Sequence, residues 1–342
     1  MFVLFLYMKF CFFYIFASKI IYVMLIEVNG IGFELDASDK CAAVVKGEYS
    51  GNIVIPANVH YNGADYYVSA ISESAFEGCL QLTSVSTPES LRAIGASAFK
   101  GCSSLNEVYL NSDILVIGAA AFSGCSGLVR VELPANLVSI EASLFDGCSS
   151  LKEVVIGENI DGVGEYAFCS CSSLTELSLP QGVKYIDSWA FRSCTALRRV
   201  SLPSSVTSLK KGAFWDCASL EEFVLPDNVN IVEQGLLAKC VSVKKVQLHE
   251  GVLSVGYGAF YDCPSLTELS LPSTVQSVEE QVFRGCSSLV RLEVKSTVAP
   301  MAMRDVADAT VYANAVLYVP QGCVGEYGFA RVWNKFDNVE EI

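Results

Sequence analysis

Thiols are the most regularly placed reactive groups in this chain. Cysteine recurs every 23 residues ten times, as Cys79, Cys102, Cys125, Cys148, Cys171, Cys194, Cys217, Cys240, Cys263 and Cys286. Such a series can hold metal, form disulfides or fill space. Zinc needs ligands that converge tetrahedrally, whereas residues one period apart recede along a line, and only His60 and His249 are available to help. Units stacked as parallel strands lie roughly 4.8 Å apart, which is close enough for a bridge. Equivalent residues then point the same way, and parallel Cβ vectors cannot adopt the dihedral of about 90° that a disulfide requires. The ten are therefore expected to be buried thiols packing as small hydrophobes, with no metal and no cofactor. The chain carries no Walker loop, dinucleotide fingerprint, zinc spacing or nucleophile elbow. Nothing recurs beside His249 that would build a triad, so no catalytic residue is assigned and a non-enzymatic protein is expected.

A fixed period of this length means one supersecondary unit stacked on copies of itself. The second unit reads Leu91, Ile94, Ala98, Phe99, Gly101, Cys102, Leu105, Val108 and Leu110. Phenylalanine recurs at 76, 99, 122, 145, 168, 191, 214, 260 and 283, with Leu237 as the one replacement, and predicts a buried aromatic pillar. The alanine before most of these fits a short, tight helical turn, and Gly78, Gly101, Gly124, Gly147 and Gly285 fit a left-handed exit before the cysteine. Leu177 and Leu179 alternate as in a parallel strand with one face inward, and Pro180, like Pro134, Pro203, Pro226 and Pro272, ends it. Residues 236–239 and His249, which stands where proline is usual, mark an irregular unit and a candidate local kink.

The order Leu, Leu, Leu, Pro, Val, Ile, Ala, Phe, Cys over 23 residues resembles the BspA-like class of leucine-rich repeats, across about residues 68–294. Residues 49–56 and 61–68 look like that family's N-terminal cap, and residues 317–323 with 333–336 like its C-terminal cap. The resemblance implies an α/β repeat solenoid. This is a leucine-rich-repeat horseshoe with a parallel β-sheet on the concave face, short helical turns on the convex face, a β-rich N-terminal cap and a mixed C-terminal cap. Proteins similar to these are surface or secreted proteins of host-associated bacteria and some parasitic protists, implicated in adhesion. The expected divisions are 1–19, 20–67 (N-terminal cap, opening on a hairpin about Asn29-Gly30), 68–294 (the array) and 295–342 (C-terminal cap).

Residues 1–16 are almost wholly apolar, with Lys9 as the only charge. An export signal, a membrane anchor within residues 1–26, and a miscalled start or plain cap are the three alternatives. The composition, 52% hydrophobic and 18% charged, excludes disorder. A formal charge of −14 repels nucleic acid and anionic membrane, so no nucleic-acid partner is expected, and membrane association only through residues 1–26.

Two surfaces are candidates for binding a protein or a cell-surface glycan. One is the outward strand face, with Glu107, Arg130, Glu153, Glu176, Arg199, Glu222, Lys245, Glu268 and Arg291 in one column and Tyr109 and Glu132 in the next. Opposite charges adjoin at most steps of the first column, which fits either a salt-bridge ladder or a recognition surface on the concave side. The other candidate is a set of convex aromatics, Tyr166, Trp189, Trp215, Tyr257 and Tyr261, which either contact a ligand or fold over neighbouring units. The expected function is that of an adhesin-like binding module, extracellular or at the cell surface. An intracellular, cytoplasmic scaffold for signalling or structural partners is the alternative, compatible with unpaired cysteines.

Overall fold

The computed structural model describes residues 24–342. The segment expected to carry the export signal or anchor, residues 1–19, lies outside them. Met24–Val28 pairs antiparallel with Ile31–Asp36. Between them Asn29 and Gly30 both take positive φ, 53° and 76°, the left-handed pair that a type I′ turn needs and that Asn-Gly supplies. Along Ile31–Asp36 the side chains alternate, with Ile31, Phe33 and Leu35 inward. Cys41–Val44 joins that strand to Ala64–Ile71, which in turn pairs in parallel with Ala93–Ile94. The first sheet thus runs from cap into repeats, and the apolar end of the stack is covered.

Each 23-residue unit has three sides. On the first, long strands such as Glu176–Ser178 and Arg199–Ser201 pair in parallel one unit apart, with Leu177 buried and Glu176 and Ser178 exposed. On the second, two-residue strands such as Tyr185–Ile186 and Ser208–Leu209 do the same. The third carries the Ala-Phe turn. There Ala98, Lys100 and Cys102 donate backbone N–H groups to Gly95, Ser97 and Phe99, three residues back. Ser97 and Gly101 have φ of 55° and 74°, and their equivalents in the other nine units are also positive.

A left-handed residue at every fourth position stops a right-handed helix from propagating. The expected helical turns on this side are therefore corrected. They are single turns whose N–H groups bond to the following unit: Ser97, Phe99 and Gly101 donate to Ala119, Ala121 and Ser123 at 2.9, 2.7 and 2.7 Å. The molecule is a parallel β-solenoid of about 13 leucine-rich-repeat-like turns. Among the described residues, helix is confined to Ala309–Asn314, Val324–Phe329 and a 3₁₀ turn at Trp333–Lys335.

Inside, the phenylalanines form a stack of near-parallel rings. Centroid spacings run from 4.8 Å for Phe76–Phe99 to 5.7 Å for Phe122–Phe145 and 6.2 Å for Phe260–Phe283. Tyr49 of the cap lies 4.6 Å from Phe76 and closes the near end. Leu237 interrupts the stack, and the strand residue Phe223 brings a tilted ring to 5.3 Å from Phe214. The backbone ladder runs through the irregular unit unbroken, with Leu237 donating to Ala259 at 2.9 Å.

The cysteines do more than fill space. From Cys102 onward every column thiol donates to the carbonyl of the pillar residue one unit earlier: Cys102 to Phe76 at 2.9 Å, Cys217 to Phe191 at 3.2 Å, Cys263 to Leu237 at 3.2 Å, Cys286 to Phe260 at 3.1 Å. None of the ten is bridged. Their donors point toward the N-terminal end, opposite to the N–H groups of the turn ladder. At the far end Asp308 ends the turn ladder: one carboxylate oxygen accepts the Gly285 N–H at 2.9 Å, and the other caps Ala309–Asn314.

Candidate functional site

The long-strand face holds Glu107, Tyr109, Arg130, Glu132, Glu153, Glu176, Arg199, Glu222, Lys245 and Glu268, all exposed. Strand alternation alone puts them there, because Val108, Val131, Leu177, Phe223 and Leu269 take the inward positions. Register sets Arg130 beside Glu153, Glu176 beside Arg199, Glu222 beside Lys245 and Glu268 beside Arg291. Of these pairs only Arg130–Glu153 closes, at 3.1 Å, and Arg130 also approaches Glu132 of its own strand at 3.6 Å. The salt-bridge ladder is therefore largely absent. In water an exposed pair gains too little to hold two long side chains in one geometry, and the remaining charges stay solvated. Arg291 differs from the rest: it is half-buried, with its guanidinium 3.8 Å from the Tyr318 ring centroid, and belongs to the junction with the C-terminal segment.

The strands of this face do not form one continuous sheet. Arg130–Glu132 pairs with Glu153–Val155, Glu176–Ser178 with Arg199–Ser201, and Glu222–Val224 with Lys245–Gln247, and pairing lapses between these couples. Where it lapses between Glu107–Tyr109 and Arg130–Glu132 there is an open cleft of about 710 Å³, lined by Asn106, Glu107, Tyr109, Val129, Arg130 and Glu132 among others. Tyr109 is 57% exposed at its edge and donates its hydroxyl to Glu107 at 2.8 Å. That bond and the carboxylate's charge push the phenol's pKa up. No residue type in the sequence marks these lapses, because they are matters of backbone hydrogen bonding alone. Exposed Val155 and Val224 continue the apolar content of the second column.

On the turn face the aromatics fall into two groups. Trp189 and Trp215 meet edge to face at 5.6 Å. Tyr257 donates its hydroxyl to Gln281, and Tyr261 lies under Arg284. Tyr166 joins neither group, although it shares the left-handed position of Trp189, with φ of 55° and 61°. His249 is structural. Nδ1 accepts the Gly251 N–H at 3.0 Å, so Nε2 carries the proton and donates to the Val229 carbonyl at 3.0 Å, while the His249 carbonyl accepts Val252 as the prolines' carbonyls do elsewhere. Burial pushes the Cys102, Cys148, Cys240 and Cys286 thiols up to about 12, which leaves them protonated and poor as nucleophiles or metal ligands. Among the described residues no helix is long and apolar enough to cross a membrane.

Fold and surface together define a parallel β-solenoid of leucine-rich-repeat type. The sequence matches the BspA type leucine rich repeat region over residues 69–196 and 161–290, and the chain belongs to that family. Among solved structures, the pneumococcal vaccine antigen PcpA is similar with a TM-score of 0.60 and 17% identity, over 93% of this chain and 98% of that one. A leucine rich cell surface protein from Faecalibacterium prausnitzii is similar with a TM-score of 0.52 and 22% identity, over 95% of each chain. No curated protein matches the sequence.

Proposed function

We propose that this chain is a non-enzymatic binding protein that works at the cell surface and holds a protein partner on its long-strand face. The observation that carries the proposal is the set of charges left uncompensated there. Glu176, Arg199, Glu222 and Lys245 sit in register but unpaired, and an open cleft holds Tyr109 at one end of the column. Solvated charges in fixed register steer and orient a partner of complementary pattern, and a tyrosine beside a cleft supplies area at low entropic cost. Among proteins of this fold, the F. prausnitzii relative is described as a cell surface protein, which supports the location.

The test is surface plasmon resonance of the full chain against purified extracellular-matrix and cell-surface proteins. It is run in parallel with the variant Glu107→Lys, Glu176→Lys, Glu222→Lys. At least one partner binds, and the variant weakens it tenfold or more. Unchanged affinity in the variant removes this face from the function, and a tagged chain found in the cytoplasm replaces the surface role with that of an internal scaffold.

A further inference from the structure

Trp189 occupies a position that seven of the nine other units give to serine, alanine or glycine. In the other units it is Ser74, Ser97, Ala120, Ser143, Tyr166, Gly212, Gly235, Gly258 and Gln281, all left-handed. The left-handed region disfavours any residue with a Cβ, and the indole does not join the phenylalanine pillar, since it is partly exposed. The following units are cleared to receive it and its neighbour. A Cβ on Gly212 would lie 2.2 Å from the Trp189 ring, and one on Gly235 would lie 2.8 Å from the Trp215 ring. Each indole therefore lies against the bare backbone of the next turn, and the pair forms a fixed aromatic shelf.

Cations surround the shelf. The Arg192 guanidinium and the Lys211 ammonium are 5.5 and 5.6 Å from the Trp189 ring centroid, and Lys239 is 6.0 Å from that of Trp215. Elsewhere Arg92, Arg304 and Lys335 are paired with carboxylates. Among the described residues no ion pair includes Arg192, Lys211 or Lys239. The acids of this stretch are otherwise engaged: Asp216 accepts the Ser193 hydroxyl at 3.0 Å, and Asp187 accepts the Ser188 N–H at 3.3 Å. Arg192, Lys211 and Lys239 thus form a local group of unpaired cations on the turn face of a chain whose formal charge is −14.

We infer that the Trp189–Trp215 shelf is a binding site for an acidic oligosaccharide, one whose sugars carry carboxylate or sulfate groups. The negative face of an indole takes the C–H face of a sugar ring. A guanidinium and two ammonium groups at the rim take its anionic substituents by charge-assisted hydrogen bonds. A short acidic glycan touches only this basic island, whereas an extended phosphodiester polymer also meets the negative field of the whole chain. The site lies on the turn face, separate from the strand face proposed above.

Trp333 is the third and last tryptophan and is 1% exposed in the C-terminal segment, so intrinsic fluorescence reports chiefly on the shelf. The full chain is titrated with a sulfated disaccharide-repeat hexasaccharide, an oligogalacturonate, maltohexaose and a single-stranded DNA oligonucleotide. The acidic sugars are expected to perturb the emission saturably, with affinity falling as salt rises, and maltohexaose to bind at least tenfold more weakly. Trp189→Ser restores the residue found in three other units and should keep the thermal midpoint while losing at least tenfold in affinity, followed through Trp215 emission and calorimetry. Lys211→Gln with Lys239→Gln should lose threefold to tenfold. The strand-face triple variant should bind the sugars as the parent does, so failure there and failure here are separable. The inference is overturned by equal binding of maltohexaose, by tighter binding of the oligonucleotide, by unchanged affinity in Trp189→Ser, or by no response to either acidic sugar at millimolar concentration.

Discussion

At the scale of single residues the thiol column carries the clearest lesson. Periodicity alone places the cysteines in the core, and the column from Cys102 to Cys286 is fully buried. The hydrogen bond was not legible, because its acceptor is a backbone carbonyl 26 residues earlier and carbonyls have no sequence identity. Two substitutions separate the thiol's roles. Cys217→Ala removes volume and the bond to Phe191, and should cost about 1–3 kcal/mol. Cys217→Ser keeps a donor, and if that bond matters it should cost less than alanine, as read from urea midpoints. Serine costing more than alanine would mean that the sulfur acts only as a small hydrophobe. The Phe191 carbonyl also accepts the Cys194 N–H at 3.2 Å, so neither variant leaves it bare.

At the scale of elements, what could be read depended on which atoms define the element. The pillar was legible because it is made of side chains, down to the replacement at Leu237. The turn reads as helical in the sequence because glycine announces a left-handed residue while Ser97, Trp189, Asp216 and Lys239 adopt the same conformation unannounced. Alternation makes the exposed and buried positions of the long strands legible, but the lapses in pairing and the failure of the charge ladder to close are not legible at all. At the break in the pillar, Phe223 and Leu237 are expected to compensate each other. Phe223→Val alone should cost about 1–3 kcal/mol through the cavity it leaves, Leu237→Phe alone should overpack at similar cost, and the double variant should recover most of the loss. A double-mutant cycle by urea denaturation measures this coupling, and additive losses would show that the two sites are independent. Asp308→Ala removes the acceptor for Gly285 and the cap of Ala309–Asn314, and about 1–2 kcal/mol is expected. The loss should appear as faster amide exchange at Gly285, Thr310 and Val311.

For the whole molecule the buried thiols add up to a response to pH. Burial raises them, to about 12 for Cys102, Cys148, Cys240 and Cys286, and in the same direction for Cys125, Cys171, Cys194, Cys217 and Cys263. An unfolded cysteine ionises near a pKa of ~8.5. Below that value folded and unfolded chains bind the same number of thiol protons, and this source of stability is fully present. Above it the unfolded chain releases protons that the folded chain keeps, so stability falls as pH rises toward the folded pKa. Each thiol contributes a loss on the order of 1 kcal/mol per pH unit, and the four near 12 together roughly 5 kcal/mol per unit. Buried Tyr312, also raised to about 12, acts in the same direction, but only above the ordinary tyrosine pKa of about 10. The interval from about pH 8.5 to 10 therefore belongs to the cysteines. In reducing buffer the urea midpoint, followed by circular dichroism, is expected to hold steady from pH 7 to 8 and then to fall steeply. Serine does not ionise in this range, so each thiol replaced by serine should make the fall shallower by one equal step. A midpoint that stays flat to pH 10 would show that the core admits thiolates, and with it that the column is not sealed from water along its length.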